Sequence, residues 1–247
     1  MKIEGNNMAK CCIFDLDGTL LNTLTTITYY INRTLILHGL AVADEDEIKG
    51  YVGCGAANLV LKTLTARGIT DEKYISEFLH IYEAAYDNAP DYLTEPYDGI
   101  RELISELRER GIKVSVLSNK PDYSTVTAVK NIFGDAFDIV HGGREGIALK
   151  PAPDGIFALL AELSSDMDNC VYIGDSEVDV KTAKAAGMEN FVAVTWGFRT
   201  KEQLSAEGAV NFADDVDELK SFILKRLWGL TRKAWASREK KDIAILK

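Results

Sequence analysis

Four short, apolar runs alternate with helical patterns, and this alternation is the strongest constraint on the fold of the chain. Each run is about as long as a strand that is buried on both faces. Strands that alternate with helices favour a parallel α/β sheet, because two parallel strands need a long crossover connection, usually a helix. The four runs are residues 11–14, 114–117, 170–173 and 191–194.

Polar residues follow three of these runs directly. Asp15 and Asp17 come after the first run, Ser118 and Asn119 after the second, and Asp175 after the third. In open α/β sheets, ligands bind at the carboxyl ends of the strands, and parallel strands share that edge. The pattern therefore predicts a functional site at this edge of the sheet.

Asp15 and Asp17 are two residues apart, and Gly18 permits a sharp turn after them. Two carboxylates this close raise each other's pKa unless a cation or a hydrogen-bond donor lies between them. A divalent cation such as Mg²⁺ prefers oxygen ligands and removes this repulsion. Taken alone, such a pair is more typical of a turn or a helix N-cap. The second acidic cluster, Asp175 and Asp179, favours a metal site.

Lys150 precedes Pro151, and proline disfavours helical backbone in the residue before it. The lysine is therefore either an exposed loop residue or a cation directed at a phosphate or at a carboxylate nucleophile. Ser118 and Asn119 leave a similar choice, because such residues either cap the next helix or hold an anion at its N-terminus.

The stretch from about residue 22 to residue 96 has apolar residues at helical spacing and no convincing strand. We therefore expect a doubly wound, Rossmann-like parallel-sheet core (α/β class) with an α-helical cap inserted after the first strand. The predicted core comprises residues 1–22 and 95–224, and the predicted cap comprises residues 23–94. A C-terminal extension covers residues 225–247.

The composition excludes some classes of protein. The 247 residues include 28 Lys and Arg against 38 Asp and Glu, a net charge of −10. This acidity disfavours a nucleic-acid binder, whose affinity comes from cations that neutralise phosphates. No stretch approaches the roughly 20 apolar residues that span a bilayer, and no apolar run typical of a signal peptide precedes Met8. We therefore expect a cytoplasmic protein that is a monomer or a homodimer.

The C-terminal extension differs in charge from the rest of the chain. Residues 223–247 contain 8 Lys and Arg against 2 Asp and Glu, interspersed with apolar residues. Such a segment is typical of a solvated extension or a packed last helix. It is also compatible with a basic amphipathic helix that binds a partner or an anionic membrane surface. The sequence identifies no partner for it.

Four motifs occur in order: Asp15-Leu16-Asp17-Gly18-Thr19-Leu20, Ser118-Asn119-Lys120-Pro121, Lys150-Pro151 and Gly174-Asp175-Ser176-Glu177-Val178-Asp179. Together with the helical insertion, they closely resemble the haloacid dehalogenase superfamily of phosphohydrolases, and within it the phosphoglycolate phosphatase group. The resemblance covers about residues 10–222. It implies a Mg²⁺-dependent phosphatase for a small phosphorylated metabolite, with 2-phosphoglycolate as the leading substrate.

The resemblance also implies roles, position by position. Asp15 would be the nucleophile that forms an aspartyl-phosphate, and Asp17 would protonate the leaving alcohol and then deprotonate water. Lys150 would neutralise the phosphoryl group and the nucleophile. The implied phosphate-binding residues are Gly18, Ser118, Asn119 and Lys150. The implied Mg²⁺ ligands are Asp15, the backbone carbonyl of Asp17, and Asp175, with Asp179 supporting the site through water or a hydrogen bond.

Residues 51–55 resemble the cap loop that faces the site in this group. Gly53, Cys54 and Gly55 are therefore candidates for substrate discrimination, although a helix-terminating turn is an equally good interpretation. Pyrophosphatases, nucleotide phosphatases and sugar-phosphate phosphatases on the same scaffold remain alternatives. A non-catalytic protein that works through its basic tail is a further alternative, but four intact motifs favour an enzyme.

Overall fold

A computed structural model of the chain describes residues 10–228. Within this range the strands are β1 (Cys11–Phe14), β2 (Leu21–Asn22), β3 (Glu95–Pro96), β4 (Lys113–Pro121), β5 (Ile139–Gly143), β6 (Cys170–Gly174), β7 (Phe191–Val194) and β8 (Phe212–Ala213). The helices are α1 (Leu24–Leu37), α2 (Glu45–Lys49), α3 (Ala56–Thr65), α4 (Glu72–Asp87), α5 (Ile100–Glu109), α6 (Asp122–Phe133), α7 (Asp154–Leu163), α8 (Glu177–Ala186), α9 (Lys201–Ala206) and α10 (Val216–Trp228).

Six of these strands form one parallel sheet in the order β5-β4-β1-β6-β7-β8. The chain builds outward from β1 on one side through β4 and β5, and then on the other side through β6, β7 and β8. Phe14 at the end of β1 pairs with Val116 of β4 and with Ile173 of β6. The predicted doubly wound parallel sheet is therefore confirmed, and its switch point lies at the carboxyl end of β1.

Helices cover both faces of this sheet. Alternate side chains of β1 point to opposite faces, as β geometry requires: Cys12 and Phe14 pack with α5 and α10, and Cys11 and Ile13 pack with α7 and α8. On α5 the buried residues recur at helical spacing, at Ile100, Leu103, Ile104 and Leu107. The helix ends just before Gly111, whose φ of 73° lies in the left-handed region that glycine adopts at helix C-termini.

The strands differ from the sequence prediction in two respects. The second apolar run was expected to end at Leu117, but β4 continues to Pro121, so that Ser118 and Asn119 belong to the strand. Its pairing with β5 shifts register between Leu117 and Pro121, which marks where the polar end begins. The strands β2, β3, β5 and β8 were not predicted, because β5 ends in two glycines and each of the other three has only two residues.

The inserted cap consists of α1 to α4, and the antiparallel pair β2–β3 joins it to the core. Its helices bury an apolar cluster of their own, and Phe198 from the core packs into that cluster. We propose residues 23–94 as the bounds of the cap, since β2 and β3 lie at its entry and exit.

The predicted C-terminal extension lies only partly within the described residues. Residues 225–228 continue α10, and Leu227 packs into the core. Residues 229–247, which hold most of the predicted basic tail, lie outside the described range. Among the helices between residues 10 and 228, none is long and apolar enough to cross a membrane.

Gly142 of β5 leaves no room for a side chain. A Cβ there would lie 2.5 Å from Cα of Asp122 and 2.7 Å from the carbonyl oxygen of Lys120, and backbone atoms cannot move aside. We expect Gly142→Ala to lower the free energy of unfolding by about 1–3 kcal/mol, the usual effect of overpacking. Urea unfolding measures this, with Gly50→Ala as the control, where the nearest neighbour is 3.3 Å away. Equal effects of the two substitutions would contradict the packing argument.

Candidate active site

The carboxyl ends of β1, β4 and β6 bring most of the predicted site residues together. Asp15 follows β1, and its backbone N–H donates to the carbonyl oxygen of Ile173 in β6 at 2.9 Å. Asp175 follows β6, and Ser118 and Asn119 lie at the end of β4. Because β1 lies between β6 and β4 in the sheet, the candidate nucleophile Asp15 lies between Asp175 on one side and Ser118 and Asn119 on the other.

Lys150 lies between two of the carboxylates. Its Nζ is 2.7 Å from Oδ1 of Asp15 and 2.8 Å from Oδ1 of Asp179, and its side chain is only 3% exposed. Burial alone would lower the pKa of Lys150, but the two carboxylates raise it above the usual lysine range. Lys150 is therefore a buried cation in contact with Asp15, and the exposed-loop interpretation is wrong.

Asn119 fixes the backbone of Lys150. Its Nδ2 donates to the carbonyl oxygen of Lys150 at 2.8 Å, and its Oδ1 accepts from the backbone N–H of Lys150 at 2.8 Å. Ser118 is 4% exposed and uses its hydroxyl oxygen to accept from the N–H of Lys120. The end of β4 thus holds the lysine loop in place through a pair of reciprocal hydrogen bonds.

Asp179 is the most thoroughly hydrogen-bonded acid of the site. Besides Lys150, its carboxylate accepts from the Tyr172 hydroxyl at 2.5 Å and from the Ser176 hydroxyl at 2.6 Å. Ser176 in turn caps α8 by accepting from the N–H of Asp179, so the two residues form a capping box. Burial opposes ionisation of Asp179, but Lys150, Ser176 and Tyr172 together hold its pKa below the usual range.

Asp175 lies behind the turn that follows Asp17. It accepts from the Thr19 hydroxyl at 2.9 Å and from the N–H of Phe198 at 2.7 Å. Gly18 has φ 89°, and a Cβ on it would lie 2.3 Å from a carboxylate oxygen of Asp175. Glycine is therefore required at this position both for the turn and for the close approach to Asp175.

The buried acids outnumber the cations that contact them. Oxygens of Asp15, Asp175 and Asp179 lie within 4.8 Å of one another, with the Lys150 ammonium beside two of them. Burial and then the charge of Asp179 raise the pKa of Asp15 well above its ordinary value, and the same two causes raise the pKa of Asp175 to about 7. The excess negative charge and the all-oxygen donor set fit a divalent cation such as Mg²⁺.

The Asp17 side chain points to a different partner. Its Oδ1 is 2.7 Å from Nζ of Lys120, and both side chains are largely buried. The same ammonium lies 4.8 Å from the ring centroid of Tyr86, which belongs to the cap helix α4. Asp17 and Asp15 therefore occupy different electrostatic environments although only Leu16 separates them in the sequence.

A cleft that is partly open to solvent lies between the core and the cap. Its core side includes Asp15, Asp17, Ser118, Asn119, Lys120 and Lys150. Its cap side includes Gly53, Gly55, Tyr82, Glu83, Tyr86 and Asp87. Of the three specificity candidates in the cap loop, Gly53 and Gly55 line the cleft, whereas Cys54 does not line it and is exposed.

Comparisons with known proteins agree with this arrangement. The sequence profile of haloacid dehalogenase-like hydrolases matches residues 12–194. The chain belongs to this family. It is 36% identical over 220 residues to a phosphoglycolate phosphatase of Rhodospirillum rubrum, covering 86% of this chain and 90% of that protein. It is 33% identical over 212 residues to a phosphoglycolate phosphatase of Cereibacter sphaeroides, covering 84% and 95%.

A solved structure supports the same assignment. The crystal structure of a provisionally assigned phosphoglycolate phosphatase from Lactobacillus delbrueckii subsp. bulgaricus has a TM-score of 0.82 and 30% identity to the chain. The match covers 87% of this chain and 98% of that one. This member of the haloacid dehalogenase-like hydrolases is thus a phosphoric monoester hydrolase, and it is similar to proteins named phosphoglycolate phosphatase.

Sequence reasoning assigned no role to several residues of this hydrolase site. Thr19 and Lys120 belong to the quoted motifs, two residues after Asp17 and one residue after Asn119, and this proximity in the sequence was the available signal. Tyr172 lies in an apolar run, where nothing indicates that its hydroxyl reaches Asp179. Arg199 lies outside every motif, and only the structure shows its contacts.

Arg199 connects the core to the cap loop. Its guanidinium donates to the carbonyl oxygens of Lys49 at 2.8 Å and of Val52 at 2.9 Å, both in the cap. It also binds both carboxylate oxygens of Glu177 in the core, at 2.6 and 3.1 Å. Asn119 adds a third contact to the same loop by donating to the carbonyl oxygen of Gly53 at 3.2 Å.

We expect Arg199→Met to loosen the cap loop. Two hydrogen bonds to the loop are lost at about 1 kcal/mol each, so opening of residues 49–53 should increase roughly ten- to thirtyfold. Amide hydrogen exchange of that loop measures the change, together with kcat/KM for a small phosphomonoester. Exchange that is unchanged at residues 49–53 would show that Arg199 does not hold the loop.

Arg67→Met is the matched control. Arg67 also binds two backbone carbonyls and a glutamate, namely those of Ala41 and Thr63 and the side chain of Glu47, but all of them lie within the cap. Its loss should weaken the cap itself and leave the contacts between core and cap in place.

Proposed function

We propose that this enzyme hydrolyses 2-phosphoglycolate to glycolate and inorganic phosphate, with Mg²⁺ and through an aspartyl-phosphate at Asp15. The observation that carries the proposal is the contact of Asp15 with the buried Lys150 in the cleft beneath the cap. The relatives from Rhodospirillum rubrum and Cereibacter sphaeroides, both phosphoglycolate phosphatases, support the choice of substrate.

In the first step, a carboxylate oxygen of Asp15 forms a bond to phosphorus while the bond from phosphorus to the glycolate oxygen breaks. The Asp15 carboxylate and the phosphate repel each other, and the ammonium of Lys150 reduces this repulsion. Lys150 and Asp15 meet through Oδ1, which leaves Oδ2 as the atom we assign to the attack. Ser118 holds the transferring group, with Asn119 beside it, and Asp17 donates a proton to the departing alkoxide.

In the second step, water attacks the phosphorus of the aspartyl-phosphate. Asp17, now a carboxylate, removes a proton from that water, and the bond between phosphorus and the Asp15 oxygen breaks. Inorganic phosphate leaves, and Asp15 and Asp17 return to their starting states. Asp15 and Asp17 contact different lysines, Lys150 and Lys120 respectively, and we assign the two acids different roles on this basis.

The residues that would hold Mg²⁺ are Asp15, Asp175 and the backbone carbonyl of Asp17. When bound, the ion supplies positive charge next to the phosphoryl oxygens. Asp179 keeps Lys150 in place, and Thr19 and Phe198 orient Asp175.

Asp15→Asn should abolish turnover and leave the fold intact. The substitution keeps the shape of the side chain but removes the anionic oxygen that attacks phosphorus. We expect wild-type kcat/KM on 2-phosphoglycolate of about 10⁴ M⁻¹s⁻¹ or more, and no phosphate release above background in the variant. The thermal midpoint of each protein checks that both are folded. Undiminished turnover in the variant would remove Asp15 from the nucleophile role.

Mg²⁺ should stabilise the protein more at pH 8 than at pH 5. In the metal-free fold the pKa of Asp175 is about 7, against about 3.9 in an unfolded chain. The folded state therefore binds more protons between these values, and its stability falls as the pH rises from about 4 to about 7. A bound divalent cation offsets this loss because it stabilises the ionised carboxylates.

At pH 8 and a hundredfold excess over Kd, Mg²⁺ should raise Tm by roughly 5–10 °C relative to protein in EDTA. Asp175→Asn should reduce this rise, and Asp214→Asn, which changes a surface acid paired with Lys201, should not. An equal rise in wild type and Asp175→Asn would place the ion elsewhere.

A further inference from the structure

We infer that Lys120 binds the carboxylate of the substrate and thereby selects phosphomonoesters with an anionic group on the carbon next to the leaving oxygen. The inference deepens the proposed function and rests on it. It assigns substrate discrimination to the core, in addition to the cap loop.

Lys120 is held beside the acid that is proposed to protonate the leaving group. Its Nζ is 2.7 Å from Oδ1 of Asp17, and both residues line the cleft. The side chain of Lys120 is 8% exposed, and the face of the Tyr86 ring covers it from the cap. The ammonium is thus fixed at the place where the core and the cap meet around the leaving group.

The length of 2-phosphoglycolate restricts where its second charge can lie. The carboxylate carbon is two bonds of about 1.5 Å each from the leaving oxygen. Asp17 must lie within hydrogen-bond reach of that oxygen, about 2.6–3.2 Å, to protonate it. A cation that touches Asp17 is therefore a neighbour of the substrate carboxylate.

The other lysine of the cleft is already engaged. Among the described residues that line the cleft, the cationic side chains are Lys120 and Lys150. Lys150 contacts two carboxylates, Asp15 and Asp179, and it faces the phosphoryl group in the proposed mechanism. Lys120 contacts one carboxylate, Asp17, and is the cation that lies on the side of the leaving group.

The cap side of the cleft favours a short acidic substrate. Glu83 and Asp87 of α4 line it, and burial, together with the charge of Asp87, raises the pKa of Glu83. An anionic group that reached this wall would be repelled by Asp87, whereas one close to the leaving oxygen meets Lys120. The cleft therefore distinguishes a carboxylate one carbon away from a charge placed further along a longer leaving group.

The test compares 2-phosphoglycolate with its carboxamide analogue, which has the same shape and lacks the second charge. In wild type we expect a higher kcat/KM for the acid than for the amide. Lys120→Met should lower this ratio about 10- to 100-fold, the usual range for a hydrogen bond to a charged group. Lys120→Arg should restore most of the ratio, because it retains the positive charge.

Binding measurements without turnover distinguish substrate recognition by Lys120 from an effect of Lys120 on Asp17. In the Asp15→Asn background, calorimetry gives the affinities for the acid and the amide without turnover. If Lys120 binds the carboxylate, adding Lys120→Met weakens binding of the acid and spares the amide. Lys62→Met controls for overall charge, since Lys62 lies on α3, against the Tyr51 ring, outside the cleft lining. Thermal midpoints show whether each variant is folded.

The outcomes separate the two proposals. A wild type that hydrolyses 2-phosphoglycolate well, with a Lys120→Met variant that loses activity on acid and amide by the same factor, overturns only the role of Lys120. A wild type that prefers the amide or a larger phosphomonoester overturns the phosphoglycolate proposal and the carboxylate role together. A ratio that falls in Lys120→Met, is restored in Lys120→Arg and is unchanged in Lys62→Met supports the inference.

Discussion

The ammonium of Lys150 between Asp15 and Asp179 is the interaction on which the rest of the site depends. Both carboxylates are buried, and a buried carboxylate without a cation is costly by several kcal/mol. Lys150 contacts both within 2.8 Å, and reciprocal hydrogen bonds from Asn119 fix its backbone. One side chain therefore stabilises the candidate nucleophile, the helix that carries Asp179, and the loop between β5 and α7. A change in any of them shifts the charge next to the phosphoryl group.

The same hydrogen bonds that begin α8 also build the site. Ser176 and Asp179 form the capping box of this helix, and Asp179 then uses its carboxylate to hold Lys150 and to accept from Tyr172 of β6. Gly174 completes the arrangement, because a Cβ there would lie 2.4 Å from Cγ of Asp179. The carboxylate of Asp179 thus takes part both in the cap of α8 and in the contact with Lys150. Capping of the helix therefore fixes this acid at the carboxyl edge of the sheet.

The sequence predicted the parts of this molecule that depend on local pattern. Buried runs and helical spacing were sufficient for the parallel sheet and the inserted cap, and the ends of β1 and β6 located Asp15 and Asp175. Short or glycine-containing strands such as β5 carry too weak a pattern, and the polar end of β4 was placed after the strand instead of within it. The partners of Lys120 and Arg199 could not be predicted from the sequence for a different reason. Asp17 is 103 residues from Lys120, and Val52 is 147 residues from Arg199, so only the tertiary fold pairs them.

These long-range contacts connect the cap to the chemistry. Asn119 binds the backbone of Lys150 on one side and the carbonyl oxygen of Gly53 in the cap loop on the other. Lys120, the next residue, bridges Asp17 and the ring of Tyr86 in the cap. Two adjacent residues of β4 therefore link Asp15 and Asp17 to the cap, Lys120 directly and Asn119 through Lys150. A displacement of the cap would therefore also change the surroundings of Asp15 and Asp17. Lid motions that complete a site affect kcat as well as KM.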